Sequence, residues 1–116
     1  MTEEMHIDRA KALQWLDGDE RMLARIRIIF MKNIPPQVER LGVSLDQGDT
    51  GSSERMAHTI MGSAAMMGAT VMSAEAGRIE KSAIQGDLES ARLHFARFAA
   101  EYEQVMKLLD ADGDHI

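Results

Sequence analysis

The last third of the chain carries an apolar pattern that repeats at alternating steps of three and four residues. Its members are Leu88, Ala91, Phe95, Phe98, Tyr102, Val105 and Leu109. A strand would place these side chains on both of its faces, whereas a helix gathers them into one stripe that packs against other helices. The pattern predicts a long helix within a helical bundle, and Asp87 immediately before it can cap its first turn.

The composition suits one helical domain. The chain has 116 residues, of which 45% are hydrophobic and only 4% aromatic, and it contains ten methionines. A core built from Met, Leu, Ile and Ala suits helices better than sheets. We expect a single domain over residues 7–109, with flexible termini at 1–6 and 110–116.

The N-terminal half is predicted to form three helices, over about residues 8–16, 19–32 and 36–47. Asp8 and Asp19 can cap the first two. The first helix would bury Trp15 in part, and the apolar spacing of the second includes Ile29. Pro35-Pro36 predicts a break or bend before the third helix, because residues before proline avoid the α region.

Three further helices follow. Ser52 or Ser53 can cap the first, which Gly68 ends; the second begins near Thr70 and ends before Gly86. The third carries the apolar stripe described above. Short connections make neighbouring helices antiparallel. We therefore predict an all-α fold in which the four C-terminal helices form an up-down antiparallel bundle and the N-terminal pair covers one end.

One histidine lies on the wrong face of its helix for a core residue. In the segment ERMAHTIMGSAAMMG, helical spacing places His58 opposite a cluster of Met56, Ile60, Ser63, Ala64 and Met67. His58 should therefore face solvent, and on helical geometry alone an exposed histidine without a role is the simpler interpretation. Gly62, four residues on, costs about 0.5–1 kcal/mol relative to alanine in a helix. Clearance explains it, because a residue without a side chain lets another protein approach the imidazole.

The run AHTIMGSAAMMGA resembles the signature of the histidine-containing phosphotransfer (HPt) domain family. That signature is a histidine, a glycine four residues later and a second glycine that ends the helix; His58, Gly62 and Gly68 occupy these places. Ile79-Glu80 resembles the Leu-Glu pair on the family's next helix. Met61 departs from the pattern, since the family usually has lysine there. The resemblance covers nearly the whole chain.

This resemblance implies a phosphorelay intermediate. His58 would accept and donate a phosphoryl group, exchanging it with the aspartate of response-regulator receiver domains in a relay fed by a sensor or hybrid histidine kinase. An accessible neutral imidazole has a ring nitrogen free to attack phosphorus. The chain shows no nucleotide-binding loop, so we expect a phosphoryl carrier and not an enzyme with kinase activity of its own.

The residues around His58 that are expected to meet a partner are Glu54, Arg55, Met61, Gly62 and Ala65. Glu54 would orient the imidazole and Arg55 would supply positive charge, although both are also ordinary residues of an exposed helix surface. Met61 leaves one alternative open. The protein would then be an HPt-like docking module that binds receiver or kinase domains without carrying phosphate.

Several other functions are disfavoured. A net charge of −6 argues against a nucleic-acid surface, and no segment approaches the roughly 18 apolar residues of a membrane span. Cysteine is absent. Glu54 and His58 could begin a metal site, but no Glu-x-x-His spacing repeats on two helices, and the tail DADGDHI stops short of a complete calcium loop. We expect a cytoplasmic monomer with no metal, no cofactor and no nucleic-acid or membrane partner.

Overall fold

The computed structural model describes residues 6–113, which form five helices: α1 (Arg9–Trp15), α2 (Glu20–Asp46), α3 (Thr50–Met66), α4 (Thr70–Ile84) and α5 (Leu88–Gly113). α3 packs most extensively on α4, α4 packs on α5, and α2 closes the ring by contacting α3 and α5. α1 contacts α2 and α3 and covers one end. The predicted all-α four-helix bundle is confirmed. Within residues 6–113, no helix is both long and apolar enough to span a membrane.

α2 runs through Pro35 and Pro36 without a break, so the prediction of two helices here is wrong. A proline in a helix interior costs about 3 kcal/mol or more, because it removes a backbone donor and crowds the preceding turn. The buried stripe of α2 nevertheless keeps its spacing across the prolines, through Leu23, Phe30, Ile34, Val38, Leu41 and Leu45. Burial of each large apolar side chain contributes about 1.5–3 kcal/mol, so an unbroken stripe outweighs the prolines. The extra N-terminal element is one helix, α1.

Aspartates begin four of the helices. The side chains of Asp8, Asp19, Asp49 and Asp87 each accept a hydrogen bond, 3.0–3.1 Å long, from the backbone N–H three residues later. The caps predicted at Asp8, Asp19 and Asp87 are confirmed. The backbone and side-chain hydrogen bonds from the serine three residues later hold the pKa of Asp49 and of Asp87 below its ordinary value.

α3 begins earlier than predicted. Its cap is Asp49, so the prediction of Ser52 or Ser53 as the cap is wrong. Ser53 is instead buried, where its hydroxyl donates to the Asp49 carbonyl at 2.8 Å and lies 2.7 Å from the Ser44 hydroxyl of α2. A short hydroxyl side chain can cap a helix or hydrogen-bond within the core. Ser53 does the second because it is buried against α2.

Gly68 ends α3, as predicted, and also contacts the backbone of Asp8 at the start of α1. Its φ of +74° is in the left-handed region that favours glycine. The Asp8 N–H donates to the Gly68 carbonyl at 2.7 Å, and a Cβ on Gly68 would overlap the Asp8 backbone. The missing side chain therefore lets the start of α1 dock against the end of α3.

The apolar stripe of α5 faces the core as predicted, with Ala91, Phe98, Val105 and Leu109 buried and Leu88, Phe95 and Tyr102 packed partly buried against them. Two other burial predictions are wrong. Trp15 is 68% exposed and Ile29 is 56% exposed. Ala12 of α1 is buried and Leu16, just after the helix, packs against the core, whereas Trp15 lies to one side of them. Ile29 lies about a third of a turn from the buried stripe of α2.

At both ends of the described chain, the structure extends beyond residues 7–109. His6 Nδ1 lies 2.8 Å from Glu101 Oε2 of α5, and α5 continues past residue 109 to Gly113. Residues 1–5 and 114–116 of the predicted flexible termini lie outside the described residues.

Candidate functional site

His58 projects from α3 into solvent. Its side chain is 67% exposed, which confirms the predicted orientation. A Cβ built on Gly62, one turn later on the same face, meets no atom within 4 Å. The open space predicted beside the imidazole is therefore present, and a second molecule can reach the ring from that side.

Glu80 of α4 holds the imidazole in place. Its carboxylate Oε2 lies 2.8 Å from His58 Nδ1, and its side chain is only 20% exposed. Because a carboxylate only accepts, this hydrogen bond assigns the ring proton to Nδ1. Nε2 of the neutral ring is then left with a free lone pair.

Sequence reasoning missed the role of Glu80 and considered only Glu54, as an alternative to ordinary surface charge, for orienting the imidazole. The carboxylate that lies 2.8 Å from the ring is that of Glu80, which α4 brings to His58 from a neighbouring helix. The Ile79-Glu80 pair carries the signal for Glu80 in the sequence, but the resemblance alone does not place Glu80 against the histidine.

The predicted positive charge of Arg55 is also directed elsewhere. Its guanidinium donates to the Ser52 hydroxyl at 3.4 Å, one turn nearer the start of α3 and so further from His58. Lys81, next to Glu80 on α4, is exposed. Among the described residues, neither side chain forms a hydrogen bond with the imidazole.

Met61 lies between α3 and α4 and is only partly available to a partner. It is half-buried and packs against the core, where its Sδ fills the space above Gly77. Met61 therefore faces α4 as well as solvent, and its contact with a partner stays a prediction.

His58, Gly62 and Ala65 form the exposed strip of α3. Two apolar grooves flank this strip. On the α2 side, a groove of about 200 Å³ is lined mainly by Ile26, Ile29, Phe30, Ile34 and Met66. On the α1 side, a groove of about 270 Å³ contains Trp15 and the predicted contact residue Ala65. Ile29, Met66 and Trp15 are large apolar residues exposed to solvent. Periodicity could not single them out, since it predicted burial for Ile29 and Trp15.

No three His, Cys, Asp or Glu side chains come together as a metal site within the part of the chain that the structure describes. The predicted site residues that do share one surface are His58, Gly62 and Ala65, to which the structure adds Glu80. The arrangement offers one exposed nucleophilic nitrogen and one carboxylate that supports it.

Comparison with known proteins agrees with this geometry. The fold is similar to the crystal structure of histidine-containing phosphotransfer protein B (HptB) from Pseudomonas aeruginosa PAO1, with a TM-score of 0.86, 21% sequence identity and 96% of each chain covered. A search of curated proteins finds no match. The Hpt domain family matches residues 25–108, a span that includes both His58 and Glu80. The chain belongs to the Hpt domain family, whose members are phosphotransfer carriers of phosphorelays.

Proposed function

We propose that this protein is a phosphorelay intermediate that carries a phosphoryl group on Nε2 of His58. It exchanges the group with the aspartate of response-regulator receiver domains. The observation that supports this role is the hydrogen bond from His58 Nδ1 to Glu80, made on an exposed helix face with open space at Gly62.

The transfer needs no proton to leave the site. The Nε2 lone pair attacks the phosphorus of a receiver's aspartyl phosphate, the N–P bond forms, and the bond from phosphorus to the aspartate oxygen breaks. The aspartate leaves with that electron pair. The imidazole becomes cationic, and Glu80 stabilises this charge through the hydrogen bond at Nδ1. The reverse sequence passes the phosphoryl group to the next receiver.

A receiver would dock over the exposed strip of α3. Gly62 and Ala65 leave room for close approach, and the two flanking grooves supply apolar area for a partner. Glu54 and Arg55 would contribute charge at the rim, and the exposed part of Met61 would add an apolar contact. We propose that the carrier works as a cytoplasmic monomer and that a sensor or hybrid histidine kinase feeds the relay.

The direct test is phosphate labelling. A receiver domain charged with radioactive phosphate is mixed with the protein, and the label is examined for the acid lability of phosphohistidine. His58→Gln should abolish labelling and leave the helical content unchanged, because the residue is exposed. His94→Gln, which alters a half-buried histidine of α5, should retain labelling and serves as the control.

Two results would contradict the proposal. Persistent label on the His58→Gln variant would place the phosphoryl group elsewhere. Receiver binding without any transfer to the wild-type protein would favour the alternative, a docking module that does not carry phosphate.

A further inference from the structure

One turn beyond His58, α4 is joined to α3 by two contacts that meet at Met61. The Ser73 hydroxyl donates to the Met61 carbonyl at 2.9 Å. The Met61 side chain lies over Gly77, so that a Cβ on Gly77 would be 3.2 Å from Met61 Sδ, closer than ordinary van der Waals contact. The thioether therefore fills the space that a side chain at Gly77 would occupy.

The α4 residues of these two contacts lie on the same face of the helix as Glu80, which holds the imidazole. Ser73, Gly77 and Glu80 are spaced four and three residues apart, so they lie on one face of α4. On α3, Met61 is three residues beyond His58. The contact between Met61 and Gly77 is thus about one helical turn from the hydrogen bond between His58 and Glu80.

We propose that Met61 is a positioning residue whose packing on Gly77 sets the spacing of α3 and α4 at the site. This inference rests on the proposed function of His58. A hydrogen bond weakens steeply as its atoms separate, and the 2.8 Å bond from Nδ1 to Glu80 leaves little slack. A larger distance between α3 and α4 at Gly77 would weaken that hydrogen bond. The ring proton of His58 could then move from Nδ1 to Nε2.

Methionine suits this positioning role at residue 61. A flexible, unbranched thioether fits a narrow space between two helices. A lysine there would keep its stem in the same space but carry its ammonium group out to water. Gly77 is the complementary feature, since it supplies the room that the Met61 side chain fills.

Gly77→Leu tests the spacing. Nitrogen-15 NMR of the isolated protein reports which ring nitrogen of His58 is protonated, and the rate of phosphoryl capture is measured separately. We expect Gly77→Leu to move the His58 proton from Nδ1 towards Nε2 and to slow capture by about two- to tenfold, the effect of losing one hydrogen bond. The double variant Met61→Ala/Gly77→Leu returns the lost space and should restore the His58 tautomer, which is measured without a partner.

Ala74→Leu is the matched control for the NMR measurement, because it adds the same side chain to an exposed position of α4. It should leave the tautomer of His58 unchanged. If Gly77→Leu does not fold, Gly77→Ala is used, since its single added carbon requires Met61 to move by only a few tenths of an ångström. An unchanged tautomer in a folded Gly77 variant, or no recovery of the tautomer in the double variant, overturns the inference. Absence of label on wild-type His58 would refute the proposed function alone, because the tautomer is read without phosphate.

Discussion

The carboxylate of Glu80 can be removed in two steps that separate its charge from its hydrogen bond. Glu80→Gln keeps an acceptor oxygen for His58 Nδ1 but removes the negative charge. Glu80→Ala removes both. The pair is mostly solvated on the histidine side, with 67% of that side chain exposed, so solvent screens the attraction. The charge therefore contributes about 1 kcal/mol to stabilising the cationic ring, and the neutral hydrogen bond adds about 0.5–1.5 kcal/mol.

These energies predict an order of rates. Glu80→Gln should transfer about fivefold more slowly than wild type, and Glu80→Ala more slowly again, by about tenfold or more in all. Single-turnover transfer from a phosphorylated receiver measures the rates, and receiver affinity measured in parallel separates docking from chemistry. The loss in Glu80→Gln should shrink as salt rises, because exposed charges are screened. Glu80→Ala with a wild-type rate and the ring proton still on Nδ1 would refute the assignment of Glu80.

Three further predictions concern two glycines and a pair of helix caps. Gly68→Ala should lower the free energy of unfolding by about 2–5 kcal/mol, because the cost of a left-handed φ adds to the cost of overlap with the Asp8 backbone. Gly86→Ala, with φ +71° and no neighbour within 4 Å, should lose only about 1–2 kcal/mol in the same denaturation assay; equal losses would argue against the close approach. Gly62→Leu should lose receiver binding while its melting temperature stays or rises, since leucine is the better helix former; unchanged affinity would contradict the clearance argument. The lowered pKa values of Asp49 and Asp87 mean that these caps stabilise the fold above their ordinary pKa of about 3.9 and lose that contribution as pH falls through the lowered values. The melting temperature of Asp49→Asn/Asp87→Asn should therefore approach that of wild type as pH falls through the lowered pKa values, and a gap that does not narrow on acidification would contradict the pKa assignment.

Much of the fold could be predicted from local patterns. Caps at Asp8, Asp19 and Asp87 and the stop at Gly68 depend on a few neighbouring residues, and the stripe of α5 needs only one helix to be recognised. The errors occur where tertiary packing overrides a local preference. The prolines of α2 are tolerated because the buried stripe on both sides stays in register, and Ser53 is drawn from capping into the contact with Ser44.

The candidate site also divides into what local patterns predict and what tertiary packing decides. Helical spacing places His58 and Gly62 on an exposed face because both residues belong to one helix, whose rotation its own apolar residues decide. Glu80 lies 22 residues further on, in α4, and meets the imidazole only because of how α4 is rotated and spaced against α3. That arrangement depends on the turn at Gly68 and on the packing of Met61 over Gly77, which no single-helix pattern contains. The exposed histidine was therefore predictable from periodicity and resemblance, whereas the carboxylate that assigns its tautomer required the register between two helices.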